Sequence, residues 1–223
     1  MSAETLHISE IFHSIQGESS FAGWPCAFIR LAGCGHGCIG CDSAYAERDG
    51  VALKVEKIIQ RTLAFQAPFI EVTGGEPLLQ PAVHSLMRQL CDLDQKVLLE
   101  TGGFLSVARV DRRVHKIIDL KPPSSGVCDQ NNPENIELAL AAEPPCRHTF
   151  EFKIVIANKE DYEWATSLLH KHQLTTSFTV MMGVAFGQLD PAELAEWMLH
   201  DRIRARMQLQ LHKYIWDPAL RGV

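Results

Sequence analysis

The sequence has no long apolar run: nothing in its 223 residues approaches the roughly 18–20 consecutive apolar residues that a membrane helix requires. It also lacks a basic excess, since 21 Lys and Arg face 27 Asp and Glu for a formal net charge of −6. That balance offers no global attraction to nucleic acid or anionic lipid. Arg202, Arg204 and Arg206 come without an aromatic platform and read as a solvated face. The first ten residues hold two Glu and no Lys or Arg, so no signal or transit peptide is expected. With 15 Gly and 11 Pro the chain is neither collagen-like nor of low complexity. It shows no internal repeat, no block of like charge and no linker. The expectation is a soluble, cytoplasmic protein with one domain over residues 1–223, bound to neither nucleic acid nor membrane.

Seven cysteines are present. The count is odd and no secretory signal precedes them, so a disulfide framework is not expected. Cys26, Cys91, Cys128 and Cys146 are scattered and read as small hydrophobes or idle thiols. Cys34, Cys38 and Cys41 differ, because they form C-x-x-x-C-x-x-C in a loop that also carries Gly33, Gly35, Gly37 and Gly40.

Short apolar or alternating runs predict strands at 27–31, 69–73, 96–100, 116–120, 149–156 and 178–182, with another possible at 207–212. Helical spacing links Val55, Ile58, Ile59 and Leu63, and again Val83, Leu86, Met87 and Leu90. Pro81, Pro133 and Pro191 suit first turns of helices, and 159–172 forms a further helix. The alternation predicts parallel βα units, in an open sheet or in a complete or partial barrel.

In such folds chemistry gathers where strands end. The cysteine loop follows the first predicted strand and Thr73-Gly74-Gly75-Glu76-Pro77 the second. Glu100-Thr101-Gly102-Gly103 follows the third and Asp119-Leu120-Lys121-Pro122-Pro123 the fourth. One decoy lies among them: residues 35–40 match the G-x-G-x-x-G dinucleotide fingerprint, but no helical periodicity continues from it and no strand-end acid follows about 20 residues on. Three close thiolates can hold one corner of a metal centre. With His36 as a fourth ligand they would make a zinc knot. With no fourth ligand they would leave one iron of a [4Fe–4S] cluster open, since such clusters usually take four cysteines.

These motifs resemble the radical S-adenosylmethionine (radical SAM) superfamily. C-x-x-x-C-x-x-C is its signature, Asp42 follows the third cysteine, and G-G-E-P after the next strand is its usual second motif. Within it the chain is similar to the branch that makes a 7-deazaguanine for the queuosine pathway. The segments carrying that likeness are I-F-H-S-I-Q-G-E at 11–18, A-F-I-R-L-A-G-C at 27–34, C-D-S at 41–43, K-P-P-S-S at 121–125 and Q-L-H-K-Y at 210–214.

The resemblance implies a partial parallel (βα) barrel of about six strands in one radical SAM core domain. It implies ring contraction of 6-carboxy-5,6,7,8-tetrahydropterin with loss of ammonia, with no catalytic side chains beyond those that position the cofactors. Cys34, Cys38 and Cys41 would hold a [4Fe–4S] cluster. S-adenosylmethionine would meet Gly74, Gly75, Glu76, Asp119, Leu120, Lys121, Val180, Met181, Met182 and Gly183. Ile15, Gln16, Gly17, Arg30, Thr73 and His212 would hold the substrate, Arg30 by clamping its carboxylate. Ser43 would ligate Mg²⁺. The chain departs from the family where Asp119-Leu120 precedes Lys121, where Met181-Met182 replaces a Gln-Pro pair, and at Ser43, where relatives frequently have Thr. An electron donor such as a flavodoxin or ferredoxin, and a homodimer, are implied as well. Two rivals stand beside this reading: an activating protein for a glycyl-radical enzyme, and a zinc- or cluster-stabilised scaffold without activity.

Overall fold

The computed structural model describes residues 4–223, built around one nine-stranded sheet. Its strands are β1 (Thr5–Ile15), β2 (Pro25–Leu31), β3 (Val51–Lys54), β4 (Phe69–Gly74), β5 (Val97–Thr101), β6 (His115–Asp119), β7 (Phe150–Ile156), β8 (Thr179–Val184) and β9 (Arg206–Gln208). Their order is β3-β1-β2-β4-β5-β6-β7-β8-β9. From β2 through β9 every neighbour is parallel, and β1 pairs antiparallel with both β2 and β3. Successive parallel strands always add at the same side, so their connections cross in one sense and the sheet curls as a barrel does, without the strand-order reversal of a doubly wound fold.

The six main predicted strands are present, each within about a residue or two of its expected bounds. Two antiparallel strands, β1 and β3, extend the array beyond them. β1 escapes a period-two reading because its pairing with β2 shifts between Ile8 and Glu10. Leu6 and Ile8 alternate inward before that irregularity, and the buried residue after it is Ser14. The run 207–212 is strand only as far as Gln208; His212 instead opens α7 (His212–Ile215).

The helices α1 (Val55–Leu63), α2 (Val83–Asp92), α3 (Glu134–Ala141), α4 (Lys159–His172), α5 (Leu174–Ser177) and α6 (Pro191–His200) accompany the parallel strands. In α1 the buried residues Val55, Ile58, Ile59 and Thr62 recur at three- and four-residue spacing. In α3 the buried residues are Asn135, Ile136 and Ala139, while Leu140 is exposed. The start of α4 is fixed by Asn158, whose side chain accepts from the Asp161 N–H at 3.0 Å, and acids in its first turn and His170-Lys171-His172 in its last suit the helix dipole. Asp190 caps α6 through the Ala192 N–H at 2.8 Å.

The main core lies between sheet and helices, with Ile29, Val72, Leu99, Ile118 and Ile154 of the strands against Ile58, Leu86 and Leu90 of the helices. Each such side chain stabilises the fold by roughly 1.5–3 kcal/mol on burial. A smaller cluster of Cys26, Phe28, Phe69, Leu98 and Ile117, with Phe12 and Phe21 against it, fills the inner face near the strand beginnings. Period-two alternation then places Arg30, Glu71, Thr73, Glu100, Asp119 and Lys153 on that inner face nearer the strand ends. The polar layer is therefore written in the register.

Candidate active site

Cys34, Cys38 and Cys41 sit in the loop after β2, at the C-terminal mouth of the strands. The loop is pinned at three places. Gly33 N–H donates to Ala46 O at 2.9 Å, Glu76 N–H to Gly33 O at 2.9 Å, and Ile39 N–H to Ser125 O at 2.9 Å. Gly75 is required at the second contact, because a Cβ there would stand 2.4 Å from Gly33 O and 2.8 Å from Cys34 Cβ. The G-G-E turn is thus packed directly on the cysteine loop. Burial pushes the thiols of Cys34 and Cys38 up, with Lys121 opposing this at Cys38. Cys41 is exposed.

Among the described residues no three His, Cys, Asp or Glu side chains converge on a single metal ion. A zinc knot would need such convergence. His36, the fourth ligand that knot would use, stacks on Phe104 at 3.8 Å between centroids, and its Nδ1 is 2.7 Å from Gln130 Oε1. A cubane suits the arrangement better, because it takes each thiolate to a different iron. The fingerprint match at 35–40 opens no α-helix; a single 3₁₀ turn at Ala44–Glu47 follows it.

The three cysteines line a cavity of about 490 Å³, within the usual range for a small-molecule site. Ile15, Gln16, Gly17, Arg30, Thr73 and His212 all line it, as do Ser43, Gly74, Gly75, Asp119 and Lys121. Glu76, Leu120 and Val180–Gly183 do not. Glu76 is fully buried, and its carboxylate accepts from Leu78 N–H at 3.1 Å, Gly102 N–H at 2.9 Å and the Thr101 hydroxyl at 2.8 Å. It acts by holding Gly102, which lines the cavity, against the G-G-E turn. Leu120, Val180 and Met182 belong to the helix-side core, and Met181 is fully buried. The wall expected from residues 180–183 is supplied further along by Ala185, Phe186 and Gln188.

A set of buried charges lies on the cavity floor. Lys153 meets Glu18 at 2.9 Å, Asp119 at 3.7 Å and Glu100 at closer range. Asp119 also accepts from Lys121 at 2.7 Å. Burial and the neighbouring Glu100 push the Glu71 carboxyl well above its usual range. Burial works the same way on Glu100, but Lys153 outweighs it and holds that carboxyl below its usual range. Burial alone would lower the Lys153 ammonium; Glu100, Glu18 and Asp119 raise it well above its ordinary value. The Gln16 amide donates to Glu71 while its oxygen accepts from Glu18 N–H at 3.0 Å, so both ends of that side chain are engaged. The buried Asp119 Oδ1 has no protein partner. An orphaned acceptor on a cavity wall suits a ligand that brings its own donors, as the ammonium and ribose hydroxyls of S-adenosylmethionine do.

On the β2 side Arg30 pairs through Nε with Glu10 at 2.7 Å, and its guanidinium lies near the Phe12 and Tyr45 rings at 5.8 and 5.9 Å. Tyr45 OH donates to the same Glu10 oxygen at 2.6 Å. The contact to Glu10 engages Nε alone, and Arg30 lines the cavity. At the mouth Lys213 meets Asp42 at 3.1 Å. Desolvation opposes the Asp42 charge, but Lys213, with Lys153 and Arg30 beyond it, brings that carboxyl down to about 2. Gly17 accommodates His212, since a Cβ at Gly17 would stand 2.2 Å from His212 Nδ1. Ser43 Oγ lies 3.7 Å from Cys41 Sγ.

Glu18, Asp42 and Lys213 lay within the quoted motifs but were given no role, and Tyr45, Glu71 and Lys153 are site residues that lay outside them. For Glu71 and Lys153 a signal was present, namely a charged residue at an inner-face position of an otherwise apolar strand.

Three cysteines of one loop lining the cavity, a glycine turn packed on that loop and a polar inner sheet face are the features of a radical SAM core. A family model described as the Radical SAM superfamily matches residues 28–197. Among curated relatives, 7-carboxy-7-deazaguanine synthase of Chlorobaculum tepidum is 60% identical over the whole of both chains. The synthase of Koribacter versatilis is 36% identical, over 98% of this chain and 100% of its own. In fold the chain is similar to QueE from Escherichia coli, with a TM-score of 0.70 at 20% identity, covering 92% of this chain and 94% of that one. The chain belongs to the 7-carboxy-7-deazaguanine synthase family of radical SAM enzymes.

Proposed function

We propose that the cavity binds 6-carboxy-5,6,7,8-tetrahydropterin and converts it to 7-carboxy-7-deazaguanine and ammonia. The observation carrying this is one cavity lined by the three cysteines, by Arg30 and by the buried inner-face residues Glu71, Asp119 and Lys153 together. Substrate and products balance as a loss of ammonia with no net oxidation, so a catalytic rather than consumed S-adenosylmethionine suffices.

Cys34, Cys38 and Cys41 hold the [4Fe–4S] cluster, and Gly74, Gly75, Asp119 and Lys121 face the S-adenosylmethionine. Together these groups supply, when bound, an electron and a hydrogen-abstracting carbon radical. The chain's own work is placement. Arg30 binds the substrate carboxylate through the nitrogens that Glu10 leaves to it. Glu71, favouring its protonated form, and the ionised Glu100 present a donor and an acceptor to the pterin edge, while Glu71 and Glu18 fix the Gln16 amide. Ile15, Gly17, Thr73 and His212 complete the walls. Ser43 provides an oxygen for Mg²⁺, which takes its remaining ligands from substrate and water.

The exposed Cys41, with Ile39 beside it at 72% exposure, supports electron delivery across this face by a flavodoxin or ferredoxin. The reading includes a homodimer, supported by the outer edge of β3, which pairs with no further strand among the described residues, and by its exposed Val51. It also includes a cytoplasmic location; among the described residues no helix is long and apolar enough to cross a membrane.

Anaerobic incubation of iron- and sulfide-reconstituted protein with S-adenosylmethionine, dithionite and the carboxy-tetrahydropterin tests the reaction. The expected result is 7-carboxy-7-deazaguanine with recovery of S-adenosylmethionine. Cleavage of S-adenosylmethionine without that product would refute the substrate assignment.

A further inference from the structure

The N-terminal turn of α4 reaches the cysteine loop through a chain of hydrogen bonds centred on Asp161. This residue is fully buried, with no exposed surface. Its Oδ1 accepts from Ser124 N–H at 2.9 Å, and its Oδ2 accepts from the Ser124 hydroxyl at 2.5 Å and from Ala157 N–H at 2.9 Å. Both ends of the carboxylate are therefore spent, and spent outside its own helix. In a capping box the acid at this helix position would return to the N–H of the capping residue, Asn158. Here it holds Ser124, 37 residues earlier in the chain, and Ala157, a residue of the cavity wall.

What Ser124 belongs to gives the contact its meaning. Residues 122–125 form a tight turn closed by Ser125 N–H on Pro122 O at 3.1 Å and by the Ser125 hydroxyl on the same oxygen at 2.6 Å. The carbonyl of Ser125 accepts the Ile39 N–H at 2.9 Å, and Ile39 stands between Cys38 and Cys41. The next residue, Gly126 (φ +72°), leaves room for the Ile39 side chain, since a Cβ there would stand 2.9 Å from Ile39 Cδ1. Ser124, Ser125, Cys38, Ile39 and Cys41 all line the cavity.

We propose that Asp161 is a positioning residue of the active site: through Ser124 and the 122–125 turn it fixes the Cys38–Cys41 half of the cluster loop before any cluster is bound. The loop's glycines give it freedom, and this relay removes part of it where two of the three thiols must be presented. An Asn at 161 cannot substitute, because in either orientation its NH₂ faces a backbone N–H, that of Ser124 or that of Ala157. The proposal rests on the cysteine loop being the cluster site, and the experiment separates the two.

Hydrogen–deuterium exchange on the cluster-free full chain tests the relay itself. In Asp161→Ala, and in the milder Ser124→Ala, the Ile39 amide should exchange at least about tenfold faster, while β4 and β5 keep their protection. Asp161→Asn should resemble Asp161→Ala. After anaerobic reconstitution the Ala variant should hold less iron per chain and need more S-adenosylmethionine to alter the electron paramagnetic resonance signal of the reduced cluster. Ile39 exchange unchanged in Ser124→Ala and Asp161→Ala would overturn the proposal. So would a loss of protection spread evenly over α4 and the sheet in Ser124→Ala, because Asp161 would then serve the fold at large. A normal relay in a wild-type chain that takes up no cluster would instead fault the cluster assignment.

Discussion

Replacing Lys153 with Met should be the most costly single change on the cavity floor, for a reason of charge. The Lys153 ammonium is 8% exposed and lies against Glu100, 2.9 Å from Glu18 and 3.7 Å from Asp119. It is the common cation of that group. Removing one member of a buried ion pair typically costs about 3–5 kcal/mol, because the remaining charge stays in a poorly solvating place. Against a total stability of roughly 5–15 kcal/mol for a domain, that is a large fraction. The penalty should depend on pH. In the native protein Lys153 holds the Glu100 carboxyl below its ordinary value, so Glu100 stabilises the fold above the unfolded carboxyl pKa, and that contribution fades as pH falls through the folded value. Without Lys153 the hydrogen bond from Glu71 is left to oppose burial and the charge of Asp42, the Glu100 pKa rises, and its ionisation stabilises the fold less as pH increases. The gap between wild type and Lys153→Met should therefore widen from acid to neutral pH. Urea unfolding of the cluster-free chains at about pH 5 and about pH 7.5 measures this, with a gap of about 3–5 kcal/mol expected at the higher pH and at least about 1 kcal/mol less at the lower. A gap below about 1 kcal/mol at both values, or one independent of pH, would refute the reasoning.

Three further outcomes are expected. Cys38→Ala should retain its fold by circular dichroism yet lose the cluster absorbance or the reductive cleavage of S-adenosylmethionine; full turnover by this variant would remove the thiol from the cluster. Arg30→Ala should raise the substrate KM, with a loss in substrate binding on the order of 2–5 kcal/mol, while uncoupled cleavage of S-adenosylmethionine persists; equal loss of both would count against a carboxylate clamp. Ser43→Ala should shift the Mg²⁺ concentration for half-maximal turnover upward without lowering cluster content, and Ser43→Thr should keep the response, since the oxygen remains on a stiffer side chain; an unshifted titration in Ser43→Ala would exclude the hydroxyl as a ligand.

The parallel strands were legible because each is a short apolar run ended by glycine, proline or charge, and the helices because their buried faces keep a three- and four-residue spacing. β1 was not, since its pairing irregularity moves the inward positions partway along the strand. The site divides along a similar line. Contiguous motifs carried the cysteine loop, the Gly74-Gly75 turn and the Ile15–Gly17 segment to the cavity. Residues 180–183 resembled a cofactor segment by position alone, and Val180, Met181 and Met182 are buried along β8 before the mouth is reached. The floor was least legible, because Glu18, Glu71, Glu100 and Lys153 come from three strands and a loop, and sheet register rather than sequence order brings them together. The Lys213 contact to Asp42 spans 171 positions and has no local signature at all.

The central claim is that this one cavity carries out a radical ring contraction, and a deuterium label reads it most directly. Reconstituted protein would be supplied with S-adenosylmethionine, dithionite and 6-carboxy-5,6,7,8-tetrahydropterin deuterated on its ring carbons. The account predicts 7-carboxy-7-deazaguanine by mass spectrometry, with deuterium passing from the pterin into recovered S-adenosylmethionine. Cleavage of S-adenosylmethionine with neither label transfer nor deazaguanine would contradict it, as would a chain that binds one zinc ion and no iron–sulfur cluster.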